Sequence, residues 1–373
     1  MQVSKWADYT AKHLFENHNG FFELPYLSNS PQLMIQSVKE LPISTHKIKE
    51  QAIYTDNAFT KGVMRYRNVE EGLWLLASNL QLKQNIISKA LYDTELTSDY
   101  YFLSFAVFEY SFPMGENPAD AATLVSTTCT FYKPNTAVTT FFYENTNGIF
   151  FNLVFNKAWA QQHIAFKTPA EKKEMERFLN KETGFINWLD IVPAAPELGG
   201  QMWRKLEKEN DGYFETKKLK QQLLEIITGF FRTAFKEKRI KNYTALHSTD
   251  YANVAAAEKI ILNNLTQPFP GVENIAKAVN ISPTKLKMIF KSVFGFSLLQ
   301  YYKEKNMLLA MQLIENSAMQ IKCIAAVTGY PSASKFSAAF KKRFGMLPAA
   351  VRNGYLGLRP LNNMSELAMP VYT

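Results

Sequence analysis

The chain has 373 residues, 47% of them hydrophobic, with ordinary glycine and proline content, so it can bury real cores and hold two or three domains; a disordered or fibrous protein is excluded. Its net charge of +9 is unevenly spread: residues 251–359 hold 14 Lys or Arg against 4 Asp or Glu, while residues 1–250 hold 28 of each sign. No run of 18 apolar residues reads as a membrane span, and the opening MQVSKWADYT lacks the apolar stretch of a signal peptide, so a cytoplasmic protein with no membrane partner is expected.

In chain order, Trp6, Leu14 and Phe15 followed by Asn19-Gly20 suggest a short helix and a turn. From 32 to 155 the pattern changes to short runs rich in β-branched and aromatic residues. Strands are expected over 33–38, 63–69, 72–82, 101–110, 123–132, 137–143 and 149–155, with Asn145 to Gly148 as a hairpin turn between the last two. That many short strands argue for a β-sandwich or a small barrel. The aromatics Phe141, Phe142, Tyr143, Phe150 and Phe151 are read either as ordinary core or as the lining of a cavity for a flat, apolar ligand.

After Phe155 the period becomes helical. Helices are expected over 157–164, 170–181, 200–209 and 217–238, the last with a broad stripe of Leu219, Leu223, Leu224, Ile226, Ile227, Phe230, Phe231 and Phe235. This stripe suits packing on its own β-domain and equally pairing with a second subunit. A polar linker follows, and 251–264 begins a last, basic domain.

In that last domain one short pattern occurs twice. Ser282, Leu286, Phe290, Lys291, Phe294 and Gly295 recur fifty residues on as Ser332, Phe336, Phe340, Lys341, Phe344 and Gly345. The apolar positions at i, i+4 and i+8 mark one helical face, and the glycine stands where a C-terminal cap would. Each copy is preceded by a second small helix, 273–279 or 320–328, across a tight connection, so a tandem helix-turn-helix is predicted. The faces left after burial carry Thr284, Lys285, Lys287, Met288, Lys291 and Ser292 in the first copy, and Ser334, Lys335, Ser337, Lys341, Lys342 and Arg343 in the second. Basic, hydroxyl-rich and without acids, they suit a polyanion. A single helix over 297–316 joins the copies; at about 1.5 Å per residue it spans roughly 30 Å, close to the spacing of successive major grooves.

The run IAKAVNISPTKLKMIFKSVFGFSLLQYY with IAAVTGYPSASKFSAAFKKRFGMLPAAVR resembles the DNA-binding domain of AraC/XylS-type transcription regulators, over about the last third of the chain. By position, the resemblance implies base reading by Thr284, Lys287 and Met288 in one recognition helix and by Ala333, Ser334, Lys335 and Ala338 in the other. Phosphate contacts fall to Lys285, Lys291, Lys341, Lys342 and Arg343. The sequence departs from the family at Asn306, where arginine is usual, and at Pro331, where a serine or threonine often opens the second recognition helix; Ser332 is the alternative cap. The segment 197–239 resembles, on spacing and hydrophobic pattern, the subgroup that contains the pyochelin-type siderophore regulator.

The expectation is thus an α+β chain. Residues 1–240 form a β-rich, cupin-like effector-binding and dimerisation domain with appended helices, 241–250 a linker, 251–357 an all-α tandem helix-turn-helix, and 358–373 a tail. Double-stranded DNA is the expected partner, with RNA polymerase, a second copy of the chain and a small organic, siderophore-like effector as further ones. The alternative keeps the DNA reader and makes the first domain a protein-interaction or oligomerisation module with no small ligand.

Catalysis finds no support. The five histidines lie outside the strand-rich 52–155, against a cupin metal centre, and no phosphate loop, serine elbow or H-E-x-x-H occurs. No cofactor is expected. Glu70 and Glu71 read as turn residues beside Gly72. Cys129 and Cys323 have neither disulfide nor zinc spacing and are expected to be small buried hydrophobes.

Overall fold

The computed structural model describes residues 5–113, 121–164, 185–189, 195–207, 213–236 and 248–355, apart from 19 and 137, with five isolated positions between 168 and 176. Residues 241–247 of the expected linker 241–250, most of the expected helix 170–181 and the tail lie outside them, and 248–250 already belong to a helix. The chain divides into two compact units, Met1–Glu109 with Ser126–Ala252 and Tyr110–Val125 with Asn253–Thr373.

The first unit is β-rich with helices attached. It opens with α1 (Trp6–His13), β1 (Asn17–His18), β2 (Phe21–Leu27), α2 (Pro31–Lys39), β3 (Ser44–Lys47), β4 (Ala52–Asp56), β5 (Thr60–Glu70), β6 (Leu73–Leu82) and β7 (Ile86–Leu91). Then come β8 (Tyr100–Pro113), β9 (Ala121–Tyr132), β10 (Thr139–Phe142), β11 (Thr146–Asn156), α3 (Lys157–His163), β12 (Phe185–Leu189), α4 (Ala195–Glu207) and α5 (Tyr213–Lys236). Eight strands form one sheet in the order β12-β9-β8-β11-β6-β5-β4-β3, and four form another, β1-β2-β7-β10.

One face of the large sheet, through Ile53, Met64, Leu76, Phe102, Tyr132 and Val154, buries Met34 and Ile35 of α2 with Tyr26 of β2 packed alongside. The opposite face presents Phe131 and Phe155. The ring of Phe131 lies 5.0 Å from Phe231 and 6.0 Å from Phe230 of α5, and Phe155 lies 5.5 Å from Trp159 of α3. The stripe of α5 is therefore used within the chain: Leu219, Leu223, Ile226, Ile227, Phe230 and Phe231 are all buried.

Three expectations fail here, each for a physical reason. Residues 33–38 form the core of helix α2 instead of a strand. Ser30 caps it by accepting from the Leu33 N–H and Pro31 supplies a first-turn residue, and those start signals decide a short apolar run whose period is ambiguous. Asn145 does turn the chain with φ of 61°, yet β10 and β11 do not pair. β10 pairs antiparallel with β7 in the small sheet and β11 with β6 in the large one, so the turn changes sheets. Glu70 is more than a turn residue. Its carboxylate accepts from Trp159 Nε1 at 2.5 Å and from Lys220 Nζ at 2.7 Å, fastening α3 and α5 to the end of β5. Burial alone would raise that carboxyl; the Lys220 and Trp159 hydrogen bonds outweigh it and hold it below the usual carboxylate range.

The aromatics at 141–151 form ring pairs. Phe151 and Tyr143 are buried, Phe141 stands 5.2 Å from Phe21, and Phe142 stands 4.8 Å from Phe150. Cys129 is buried, and burial pushes its thiol upward. Cys323, by contrast, is exposed: it precedes buried Ile324 on a short helix and so falls on the outer face. Among the described residues no helix is long and apolar enough to cross a membrane, and no cluster of three or more His, Cys, Asp or Glu could hold a metal ion.

Apart from the ends of β8 and β9 that fall within Tyr110–Val125, the second unit is helical: α6 (Ser248–Asn263), whose first residues belong to the other unit, α7 (Val272–Ala278), α8 (Pro283–Phe294), α9 (Leu298–Asn316), α10 (Ile321–Val327), α11 (Ala333–Phe344) and α12 (Pro348–Tyr355).

Candidate nucleic-acid interface

α7 with α8, and α10 with α11, are two copies of one module. In each, the first helix is held by an isoleucine and an alanine, Ile275 with Ala276 and Ile324 with Ala325, all four at most 1% exposed. The turn is also the same device twice. Asn280 has φ of 56° and Gly329 φ of 76°, the left-handed conformation that ends a helix. The Asn280 N–H donates to the Lys277 carbonyl and the Ile281 N–H to Ala276. The Gly329 N–H donates to Ala326 and the Tyr330 N–H to Ala325, which is the paired pattern of a Schellman cap. The second turn then holds one more residue, Pro331, before the next cap.

Each second helix starts on a serine. Ser282 Oγ accepts from the Lys285 N–H, and Ser332 Oγ from the Lys335 N–H, both at 3.2 Å, so Ser332 takes the capping role beside Pro331. Each ends on a left-handed glycine, Gly295 or Gly345, whose N–H donates to the Lys291 or Lys341 carbonyl. The buried faces are Leu286, Ile289 and Phe290 in α8 and Phe336 and Phe340 in α11.

That burial settles which side chains face out. Thr284, Lys285, Lys287, Met288 and Lys291 are exposed on α8; Ser334, Lys335, Ala338, Lys341, Lys342 and Arg343 are exposed on α11, and Ala333 is half-buried. Met288 is a large apolar side chain 66% exposed among lysines. Both faces therefore offer cations and small or apolar groups at helical spacing, which is the equipment for phosphates and base edges.

α9, between the modules, has 19 residues and is about 28 Å long at 1.5 Å per residue. Ser297 and Gln300 close a capping box at its start. Tyr301 sits 5.4 Å from Phe290 and 4.7 Å from Phe294, binding α8 to α9 through aromatic rings. Asn306 is buried and its Nδ2 donates weakly, at 3.4 Å, to the Thr328 carbonyl in the second turn; its Oδ1 has no hydrogen-bond partner.

One expected feature is not found. The second face is not free of acids, because Glu304 of α9 reaches its edge and takes Arg343: Arg343 Nε lies 2.7 and 2.9 Å from the two carboxylate oxygens, and Nη2 donates to the nearer. Sequence reasoning missed Glu304, since the pair is 39 residues apart and only the crossing of α9 and α11 brings it together.

A family model for a helix-turn-helix domain matches residues 275–354. Residues 275–354 are an AraC-type helix-turn-helix domain. The helix-turn-helix transcriptional regulator ExsA of Pseudomonas aeruginosa is 34% identical over 92 residues, 25% of this chain and 33% of that protein. The regulator AlkR of Acinetobacter baylyi is 35% identical over 81 residues, 22% of this chain and 26% of its own. Among solved structures, a DNA-binding transcriptional dual regulator from Escherichia coli K-12 is similar at 27% identity and a TM-score of 0.26, covering 31% of this chain and 98% of that one. The chain thus spans about a quarter to a third of the length of these curated relatives.

Proposed function

We propose that the chain is a sequence-specific transcription regulator that sets α8 and α11 into adjacent major grooves of double-stranded DNA. The carrying observation is the duplicated module: two helices with the same caps, each exposing a basic face, in modules joined along the chain by a 19-residue helix. Thr284, Lys287 and Met288, with Ala333, Ser334, Lys335 and Ala338, would read base edges, and Lys285, Lys291, Lys341 and Lys342 would hold phosphates. The net of 14 Lys or Arg against 4 Asp or Glu over residues 251–359 supplies the attraction on which such binding rests.

In this reading the β-rich residues 1–240 are a cupin-like effector-binding and dimerisation domain, 241–250 a linker and 251–357 the reader, with RNA polymerase as the downstream partner. Polar groups beside the apolar core support a ligand-responsive role: Tyr132 is buried, and the half-buried Ser104 Oγ donates to Asn152 Oδ1 at 2.5 Å on the same sheet. The resemblance of 197–239 to the pyochelin-regulator subgroup points to a siderophore-like effector.

Selection of bound DNA from a random library by the full-length protein, at one fixed salt concentration, tests the central claim. The expected outcome is a motif in two blocks about ten base pairs apart. Binding without enrichment of any sequence, by the full chain and by residues 248–355 alike, would sink it.

A further inference from the structure

We infer that Arg343 is a positioning strut between α9 and α11 and not a phosphate contact, so that the Glu304–Arg343 pair fixes the half-site spacing at which the second recognition helix can read. The inference rests on the DNA-binding reading above and assigns a role within that same surface.

Glu304 already engages two of the three guanidinium nitrogens, Nε and Nη2. Nε donates to both oxygens of Glu304 and Nη2 to the one nearer Nε, a charge-assisted contact along one edge of the guanidinium that adds geometric specificity as well as energy. The guanidinium carbon also lies 4.9 Å from the ring centre of Phe344, which in turn packs 4.6 Å from Phe340. A phosphate approaching the Nε–Nη2 edge would have to displace that carboxylate, whereas Lys341 and Lys342 in the same turn are exposed and Glu304 pairs with Arg343.

The internal repeat supplies an independent comparison. In the register that aligns Lys291 with Lys341 and Gly295 with Gly345, the first-copy counterpart of Arg343 is Val293. A phosphate contact common to both heads would not be replaced by valine. The first head does not need a strut: Phe290 and Phe294 both stack on Tyr301 of α9. The ring contacts of α11 described here stay within its own module, Tyr330 with Phe336, Phe336 with Phe340, and Phe340 with Phe344. Where the first recognition helix is held to α9 by rings, the second is held by a charged fork.

The test uses the full-length protein with its selected two-block site and with versions whose blocks are moved apart or together by one base pair. R343K keeps the charge and loses the fork; R343Q loses both. A strut predicts that both lose affinity for the preferred spacing by a similar factor, about tenfold, with weaker discrimination among spacings and an unchanged salt slope. The charge-swapped pair E304R with R343E should recover most of the affinity that either single swap loses. Retention of wild-type binding by R343K, a salt slope lowered by about one in R343Q, as expected for Lys341→Gln, or a double swap as weak as R343E alone would each overturn the inference. Melting temperatures of the free variants are measured alongside, and a swap that lowers them is replaced by the R343K and R343Q pair as the deciding comparison. If wild-type protein shows no preferred spacing at all, the two-groove reading itself has failed, and the strut is judged by the double swap's melting temperature, which a strut restores to the wild-type value.

Discussion

In the first module the recognition helix begins at Pro283 and shows solvent Thr284, Lys287 and Met288; in the second it begins at Ala333 and shows Ser334, Lys335 and Ala338. Behind these faces the two agree closely: serine cap, left-handed glycine end, paired Ile-Ala on the supporting helix and the same turn hydrogen bonds. What is repeated is what must close against the rest of the chain, and what differs is exposed. In the proposed function these divergent faces are the ones that meet DNA, and two different faces call for a site whose halves differ in sequence.

The largest effect should come from the shared part. Phe290 and Phe340 are both completely buried, so Phe290→Ala or Phe340→Ala is expected to cost about 3–5 kcal/mol of stability. Denaturant unfolding measures it, and a cost confined to one of the two would break the equivalence of the modules.

The divergent part is probed next. Lys335→Ala should weaken binding to the selected site by about 1–3 kcal/mol and leave unrelated DNA nearly unaffected. Lys291→Ala and Lys341→Ala, at equivalent positions, should weaken all sequences alike, each lowering the slope of log affinity against log salt by about 0.9. Titrations at three salt concentrations separate the two behaviours; a general loss for Lys335→Ala would move it to the phosphate group.

The turns give a smaller contrast. Gly329→Ala forces a side chain onto φ of 76°, where its Cβ would meet the Tyr302 hydroxyl at an ordinary 3.8 Å, so the cost is the backbone's alone, about 1 kcal/mol. Asn280→Gly at the matching position should instead be neutral or stabilise by a few tenths of a kcal/mol. Thermal melts that rank the two the other way would show that the turns are not equivalent. Smallest is Asn306→Leu. With one weak hydrogen bond and an unpartnered Oδ1, its replacement by an apolar side chain of similar size is expected to change stability by less than about 1 kcal/mol. A larger loss in the same melts would mean that its tie to the second turn matters more than the geometry indicates.

Legibility followed the same divide. The serine caps, the glycine ends and the i, i+4, i+8 faces are written within a dozen residues, and the structure reproduces them at Ser282, Gly295, Ser332 and Gly345. The strands at 63–69, 72–82, 101–110 and 149–155 were legible from β-branched and aromatic runs, and they lie within β5, β6, β8 and β11 but for one residue, Gly72. β2, β3, β4 and β7 were not read, because a strand of four to seven residues carries little periodic signal and its partner supplies the rest.

By itself, then, the amino-acid sequence determined where the helices of the DNA-binding domain start and stop and which of their residues are cationic, since capping and period act between neighbours. Only the tertiary structure decided that β10 leaves β11 for β7, that Glu70 fastens α3 and α5, and that Arg343 belongs to Glu304. Those choices join residues 39 to 150 positions apart, and their energies exist only once the chain has closed on itself.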